Sequence, residues 1–347
     1  MTRKYPLVSI VMANWNGGSV YENCLLSLNK LNYPNWELIV VDNGSSDGTT
    51  EISLDRRYNI KKSKLIKNKT NLGFAPANNQ GYRISKGKYI LLLNNDTLVD
   101  ADFVSVLVNK MEEDTTIGVI QPKIQIMDDQ RYLDNAGSFF TKIGFLEHWG
   151  FMQKDRSEFN KERDVFTTKG ACMLIRREVI KKTGLFDDDF MSYFEESDFC
   201  WRSWLLGYRA VYYPQTSIRH KVGFTIKRLD VGNLNFHYYK NRISSMIKNL
   251  NLINLIYILP VHIAISIGIA LAFMFRGQFK SSMLILKAIW WNIQNLRRTI
   301  KKRRLVQKSR KVRDSFILKN LTRPVDWKKF FQDFKRVEKD IRSKPFK

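Results

Sequence analysis

Acidic and amide groups in this sequence occupy positions where chemistry is feasible. Asn94-Asn95-Asp96 follows the uncharged run Tyr89-Ile90-Leu91-Leu92-Leu93. A carboxylate closing so apolar a strand is placed to hold a divalent cation against a diphosphate, since hard oxygen ligands suit Mg²⁺ or Mn²⁺ and the cation neutralises a leaving diphosphate. A strand-ending turn with an Asp100 helix cap reads the same residues differently. Glu195-Glu196-Ser197-Asp198 crowds three carboxylates at the start of an amphipathic helix that continues through Phe199-Cys200-Trp201-Arg202. Like charges in close quarters raise at least one pKa, which suits a general base. An acidic helix start favoured by the macrodipole is the other reading.

Asp42 ends the run Leu38-Ile39-Val40-Val41 and opens the turn Asn43-Gly44-Ser45-Ser46-Asp47-Gly48. Its carboxylate can accept from a base N–H or a ribose hydroxyl, or it can serve the turn itself. His220 follows a strand at Val211 to Tyr213 and a Pro214 turn. It reads as a second metal ligand or as a surface histidine, and spacing alone favours the surface.

These groups need elements that bring strand ends together. The N-terminal third alternates β-branched runs with helical patterns: strands at Leu7 to Ala13, Glu37 to Val41, Leu65 to Lys67 and Tyr89 to Leu93, and helices at Val20 to Leu31 and Ala75 to Ser85. That alternation predicts an α/β fold with a parallel sheet and crossover helices, in which ligands collect at the carboxyl ends of the strands. Asp42 and Asp96 both fall there. Ala101 to Gly223 mixes helices and strands less regularly, and the character changes after Lys227.

With 347 residues, 44% of them hydrophobic, the chain can bury a sizeable core, which excludes disorder as its general state. Lys and Arg number 58 against 33 acidic residues, a formal charge of +25. Such an excess implies an anionic partner: a phosphorylated substrate, anionic lipid or nucleic acid. Cys24, Cys172 and Cys200 are too few and too scattered for a disulfide framework, so a reducing compartment is expected. Met1-Thr2-Arg3-Lys4-Tyr5-Pro6 leads directly into a strand with no apolar leader, and secretion is not expected.

Taken together and in order, several segments resemble glycosyltransferase family 2, whose members have the GT-A fold. They are Val8 to Asn16, Val41 to Thr49, Asn71-Leu72-Gly73-Phe74-Ala75, Leu93 to Thr97, Gly170 to Arg176, Tyr193 to Arg202 and Gly207-Tyr208-Arg209, within about residues 5 to 225. The resemblance implies a nucleotide-sugar-binding mixed sheet flanked by helices. It places Ala13, Trp15, Asp42, Asn71, Gly73, Asn94 and Asn95 at the donor, with Trp15 stacking on the base and Asp42 reading it. Asn94 and Asp96 take the outer positions of the family's DxD motif. Asn94 replaces the usual aspartate, while Asp96 keeps the metal-binding carboxylate. Glu196 falls at the catalytic base, with Glu195 and Asp198 as alternatives, and His220 matches a metal ligand of some members. The Asn-Asn-Asp motif with Tyr239-Lys240-Asn241-Arg242 resembles bacterial rhamnosyltransferases, which implies a deoxythymidine diphosphate rhamnose donor.

The expected activity is inverting transfer from a nucleotide diphosphate sugar to a glycan or lipid-linked acceptor in cell-surface polysaccharide synthesis. A domain of residues 1–225 would carry it, with about 1–100 binding nucleotide and 101–225 the acceptor. Residues 226–347 would form a helical, basic, membrane-associating region. There Leu252 to Phe275 approaches the ~20 residues needed to cross a bilayer. Met283 to Ile293 is shorter and amphipathic, with Trp290 and Trp291 adjacent. A basic run follows: Arg297, Arg298, Lys301, Lys302, Arg303, Arg304, Lys308, Arg310, Lys311 and Arg313. One span would carry that run away from the cytoplasm, against the positive-inside tendency. A helical hairpin or in-plane pair on the cytoplasmic face of the cell membrane is expected instead, with the tryptophans at the headgroups and the cations on anionic lipid. An ordinary core helix followed by a solvated basic helix is the plainer alternative. A nucleic-acid-binding protein would use the basic tail but leaves the acidic groups unexplained, so no nucleic acid partner is expected. A non-catalytic scaffold of glycan assembly is the remaining reading.

Overall fold

The structure is a computed structural model describing residues 5–52, 60, 62–223 and 231–327. Its N-terminal third opens as a Rossmann-like alternation: β1 (Val8–Asn14), α1 (Gly18–Leu28), β2 (Trp36–Asp42), α2 (Thr49–Ile52), β3 (Ser63–Lys67), α3 (Phe74–Ile84) and β4 (Tyr89–Leu93). These four strands pair in parallel in the order β4-β1-β2-β3. Every residue of β4 is buried, as expected for a strand covered on both faces. The register sets Asn14 beside Asp42, so the carboxyl ends of β1 and β2 finish level.

The chain continues through β5 (Thr97–Val99), α4 (Phe103–Glu113), β6 (Ile117–Ile126), β7 (Asp129–Asn135), β8 (Ser138–Thr141), β9 (Leu146–His148) and β10 (Arg163–Asp164). Next come β11 (Cys172–Arg176), α5 (Arg177–Thr183), α6 (Glu195–Leu205) and β12 (Arg209–His220). β11 runs antiparallel between β4 and β6, and β12 extends the sheet beyond β6. The mixed α/β sheet flanked by helices is therefore as the sequence implies.

Two local expectations are corrected. Pro214 does not end a strand: β12 passes through it, and a register shift against β6 between Tyr213 and Ser217 absorbs a residue that cannot donate to the ladder. Asp100 does not cap α4. Asp102 holds the cap position, and Asp100 instead accepts from Arg219 at 2.8 Å.

The remaining elements are α7 (Val231–Asn249), α8 (Leu252–Phe275), α9 (Phe279–Gln294), α10 (Leu296–Ser309), α11 (Asp314–Asn320) and β13 (Thr322–Arg323). Ile243, Met246 and Ile247 of α7, and Leu250 just after it, share one hydrophobic core with Phe140, Phe166 and Trp201, and β13 pairs with β8. Composition changes near residue 226, but the core is continuous across it. A turn with Gly277 at φ +73° folds α9 back from α8. Among the described residues, α8 is the helix long and apolar enough to cross a membrane, with 28% of its most apolar stretch buried. Ile253, Ile256, Tyr257, Phe275, Phe279, Met283, Trp290 and Ile293 leave a broad apolar face exposed on the pair.

The basic run does not all face outward. Arg298 and Lys302 pair with Asp189, and Lys302 also with Asp187. Arg303 and Arg310 donate to carbonyls at the end of α7. Trp291 likewise turns inward beneath Lys240, whose Nζ lies 4.8 Å from the ring centroid. An expected lipid-facing run of cations is thus partly a clamp, because α7 ends in carbonyls that need donors and the loop beneath carries buried aspartates.

Candidate active site

The carboxyl ends of β1, β2 and β4 converge on a set of amides and carboxylates. Asn14, fully buried at the end of β1, donates through Nδ2 to Asp42 Oδ1 and Thr49 Oγ1, each at 3.0 Å. It accepts from Asn95 Nδ2 at 2.7 Å. Asp42 also receives the Ser45 hydroxyl at 2.6 Å and the Ser45 N–H at 3.1 Å. Both readings of Asp42 therefore meet in one residue: it organises its turn, and the turn sits at the sheet edge where donor recognition was expected. Ala13 and Trp15 flank Asn14, and both are half-buried.

Asn71 and Gly73 stand at the start of α3. The Gly73 N–H donates to Asn71 Oδ1 at 2.9 Å. Gly73 has φ +94°, and a Cβ there would come within 2.4 Å of Met191. Only glycine permits this approach, through which Ala75 N–H reaches the Met191 carbonyl at 3.1 Å. Asn94 is half-buried, with its backbone N–H on the Ala171 carbonyl.

β5 turns back antiparallel to the end of β12 and sets Thr97 opposite His220. His220 is consequently buried, contrary to the surface reading, with Nε2 3.1 Å from Asp96 Oδ1 and Nδ1 2.9 Å from Asp134 Oδ2. Burial opposes its charge, yet Asp96 and Asp134 raise its pKa to about 9. Asp96 Oδ1 is buried without a well-formed hydrogen bond. A carboxylate oxygen whose one close partner is an imidazole nitrogen, itself oriented from behind by a carboxylate, suits a divalent cation, whose charge would take the place of the imidazole proton. Among the described residues no three His, Cys, Asp or Glu side chains form a metal cluster, so Asp96 and His220 would leave other positions for diphosphate oxygens.

Asp134 continues the chain of charges: it accepts from Lys169 Nζ at 2.6 Å, and Lys169 in turn acts electrostatically on Glu196. Lys169 is thus within electrostatic reach of both Asp134 and the acidic helix start. α6 springs from two successive left-handed residues, Tyr193 and Phe194, both at φ +70°. Outside glycine this conformation is strained and must be held by its surroundings. Glu195 Oε2 and Glu196 Oε2 are buried and unpaired. Burial raises both pKa values, and Glu196 raises that of Glu195 further.

Asp198 differs from its neighbours. It accepts from Arg202 Nε, Ser245 Oγ and Asn249 Nδ2, each at 2.9 Å, with Lys248 Nζ at 3.0 Å. Burial disfavours its charge, but Lys248 and Arg202 hold its pKa below the ordinary value. It anchors α6 to α7. Asn14, Asp134 and Lys169 were not singled out as site residues from sequence. Asn14 lay inside a quoted motif, whereas Asp134 in Asp129–Asn135 carried no signal beyond an ordinary polar strand.

A family model described as "Glycosyl transferase family 2" matches residues 9–184. The poly-beta-1,6-N-acetyl-D-glucosamine synthase of Staphylococcus epidermidis is 25% identical over 210 residues, covering 60% of this chain and 48% of that protein. The protein of the same name from Staphylococcus aureus strain COL is 26% identical over 212 residues, again 60% and 48%. The chain spans about half the length of these relatives. Among solved structures, S. aureus TarS 1-349 in complex with UDP-GlcNAc superimposes with a TM-score of 0.58 at 15% identity, covering 90% of this chain and 89% of that one. Mannosyltransferase PcManGT from Pyrobaculum calidifontis, in complex with GDP-Man and Mn²⁺, gives 0.51 at 18% identity, covering 88% and 86%. These structures share the fold.

Proposed function

The chain belongs to glycosyl transferase family 2, and from that membership we propose that it transfers a sugar, with inversion, from a nucleoside diphosphate donor to an acceptor hydroxyl in cell-surface polysaccharide synthesis. The observation that carries this reading is the buried pairing of Asp96 Oδ1 with His220 Nε2, at the strand ends where Asn14, Asp42 and Asn95 interlock. Asp96 and His220 would hold a Mg²⁺ or Mn²⁺ ion, which when bound supplies charge neutralisation for the departing diphosphate. Mn²⁺ in the PcManGT structure supports this assignment.

Glu196, with Glu195 beside it, takes the proton of the acceptor hydroxyl as the acceptor oxygen bonds to the anomeric carbon and the bond to the diphosphate breaks. The products are the new glycoside, the nucleoside diphosphate and a protonated glutamate. Positioned base catalysis contributes ~10²–10⁴-fold. Occupied oxygens and a lowered pKa on Asp198 favour Glu196 and Glu195 over it for this role. Trp15, Asp42, Asn94 and Asn95 would bind the nucleotide and sugar.

The sugar is the finer question. The names of the staphylococcal synthases and the UDP-GlcNAc in TarS support a uridine diphosphate N-acetylhexosamine. The rhamnosyl donor implied by Tyr239-Lys240-Asn241-Arg242 has no counterpart among those relatives and is the competing candidate. Metal-dependent release of nucleoside diphosphate, measured across a panel of nucleotide sugars, tests both: no release with any donor would overturn the reading, and the preferred donor decides between sugars.

The exposed apolar face of α8 and α9 supports association with a membrane, by the hairpin that the turn at Gly277 creates. Recovery of the full chain in the soluble fraction, monodisperse without detergent, would remove that assignment.

A further inference from the structure

Among the described residues, buried polar atoms that form no hydrogen bond include those of Asp96, Glu195 and Glu196 at the site above, and Trp201 Nε1 and Asn249 Oδ1 elsewhere. A further set lies on α7 and α8: Nε, Nη1 and Nη2 of Arg242, Nδ1 of His237, Oδ1 of Asn241 and Nε2 of His262. Arg242 is 0% exposed. Its guanidinium carbon lies 3.8 Å from the ring centroid of Tyr238 and 4.4 Å from that of Phe145. Rings this close attract the charge of the guanidinium but do not accept its N–H bonds as an oxygen would. No described oxygen accepts them, and no described carboxylate pairs with the charge.

A cation buried with its donors unpaired is costly unless an anion completes it, and a guanidinium edge is shaped for two oxygens of one phosphate. Two further contacts locate that anion. The ring of Phe194, the residue before Glu195, lies 5.7 Å from the Arg242 carbon. Phe145 also packs against His262 of α8, with ring centroids 4.5 Å apart, and the flanking Tyr257 and Val261 are exposed. Arg242 is therefore connected through aromatic contacts both to the acidic helix start and to α8.

We propose that Arg242 anchors the phosphate or diphosphate of an acceptor carried on an apolar chain, with the chain lying along the exposed face of α8 and α9 and the acceptor hydroxyl reaching toward Glu195 and Glu196. This rests on the transfer reaction proposed above and assigns its acceptor class. The lowering of the Arg242 pKa by burial agrees with a cation awaiting a counter-charge.

Calorimetric titration of the full chain tests the assignment, with farnesyl diphosphate, farnesol, inorganic pyrophosphate and UDP with Mn²⁺ as probes. Farnesyl diphosphate is expected to bind at least tenfold more tightly than farnesol or pyrophosphate. Arg242→Gln is expected to lose at least tenfold for farnesyl diphosphate while its affinity for UDP stays within twofold. Arg242→Lys, which keeps charge but not the planar fork, should fall between. Unchanged farnesyl diphosphate binding in Arg242→Gln overturns the proposal, and parallel weakening of UDP overturns it by moving Arg242 to the donor. Pyrophosphate binding as tightly as farnesyl diphosphate would make this a site for free diphosphate and also overturn it. If Arg242→Gln does not unfold cooperatively, Arg242→Lys decides, and affinity equal to the unmodified chain counts against the anchor. Failure of the unmodified chain to release nucleoside diphosphate from any donor would sink the transfer reaction itself, whereas donor turnover with lipid binding independent of Arg242 would sink only this inference.

Discussion

The side-chain amide of Asn241 donates to the carbonyl oxygen of Tyr193 at 2.6 Å and also to that of Ser192 at 2.9 Å. A helix of the C-terminal third thereby holds the two left-handed residues from which Glu195 and Glu196 emerge. Strain of this kind costs roughly 1–3 kcal/mol per residue and persists only where neighbours over-determine it.

Asn241→Leu, similar in size but without the amide, should let that turn relax. The expected result is a fall in kcat of roughly 10–100-fold, since small displacements of a catalytic group carry penalties of that order. Donor KM should change less, because Trp15, Asp42, Asn94 and Asn95, proposed to bind the nucleotide and sugar, lie at the carboxyl ends of β1, β2 and β4. A rise in donor KM with kcat preserved would show that Asn241 does not act through the turn.

Asp134 orients His220 without reaching the cation position. Asp134→Asn should weaken Mn²⁺ activation by roughly 10–100-fold, the usual range for an outer-shell carboxylate, with turnover recovering at high Mn²⁺. Asp96→Ala should not recover at any Mn²⁺ concentration. Identical Mn²⁺ titrations for Asp134→Asn and the unmodified chain would contradict the arrangement.

A base works only when deprotonated, so a raised glutamate pKa shifts the acid limb of the kcat profile upward, above the ordinary value of about 4.3. Glu196→Gln should abolish turnover. The same shift predicts a stability effect. A carboxyl with a folded pKa above its unfolded value favours folding below about pH 4.3, and the advantage is lost as pH rises through the folded value. Glu195→Gln should therefore gain thermal stability relative to the unmodified chain at pH 8 and show less gain at pH 5. An equal difference at both pH values would remove the titration argument.

Asp198→Asn should destabilise the fold rather than alter the chemistry directly. It leaves Lys248 and Arg202, both nearly buried, without their shared counter-charge. Losing one partner of a buried pair costs roughly 3–5 kcal/mol. A urea midpoint within error of the unmodified chain would show that the pairing contributes little.

Much of this was legible in the chain itself. The β4 run Tyr89–Leu93 admits few readings besides a strand buried on both faces, and polar residues at its end must then sit at the edge of a sheet. A mostly apolar run of membrane-crossing length likewise marked α8 over Leu252–Phe275. Those local patterns, with the order of the motifs, determined a mixed α/β sheet, a ligand edge containing Asp42 and Asp96, and a helical C-terminal third.

What tertiary structure alone decided were the partners. His220 looked like a surface residue because its pairing depends on β5 returning antiparallel to β12, a register between segments over a hundred residues apart. Asp134 was invisible for the same reason, and the three acids of α6 were equivalent until α7 occupied Asp198 and left the glutamates unpaired. Period and composition report which face of an element is buried, whereas the ionisation of a buried group depends on which charges the fold brings within a few ångströms of it.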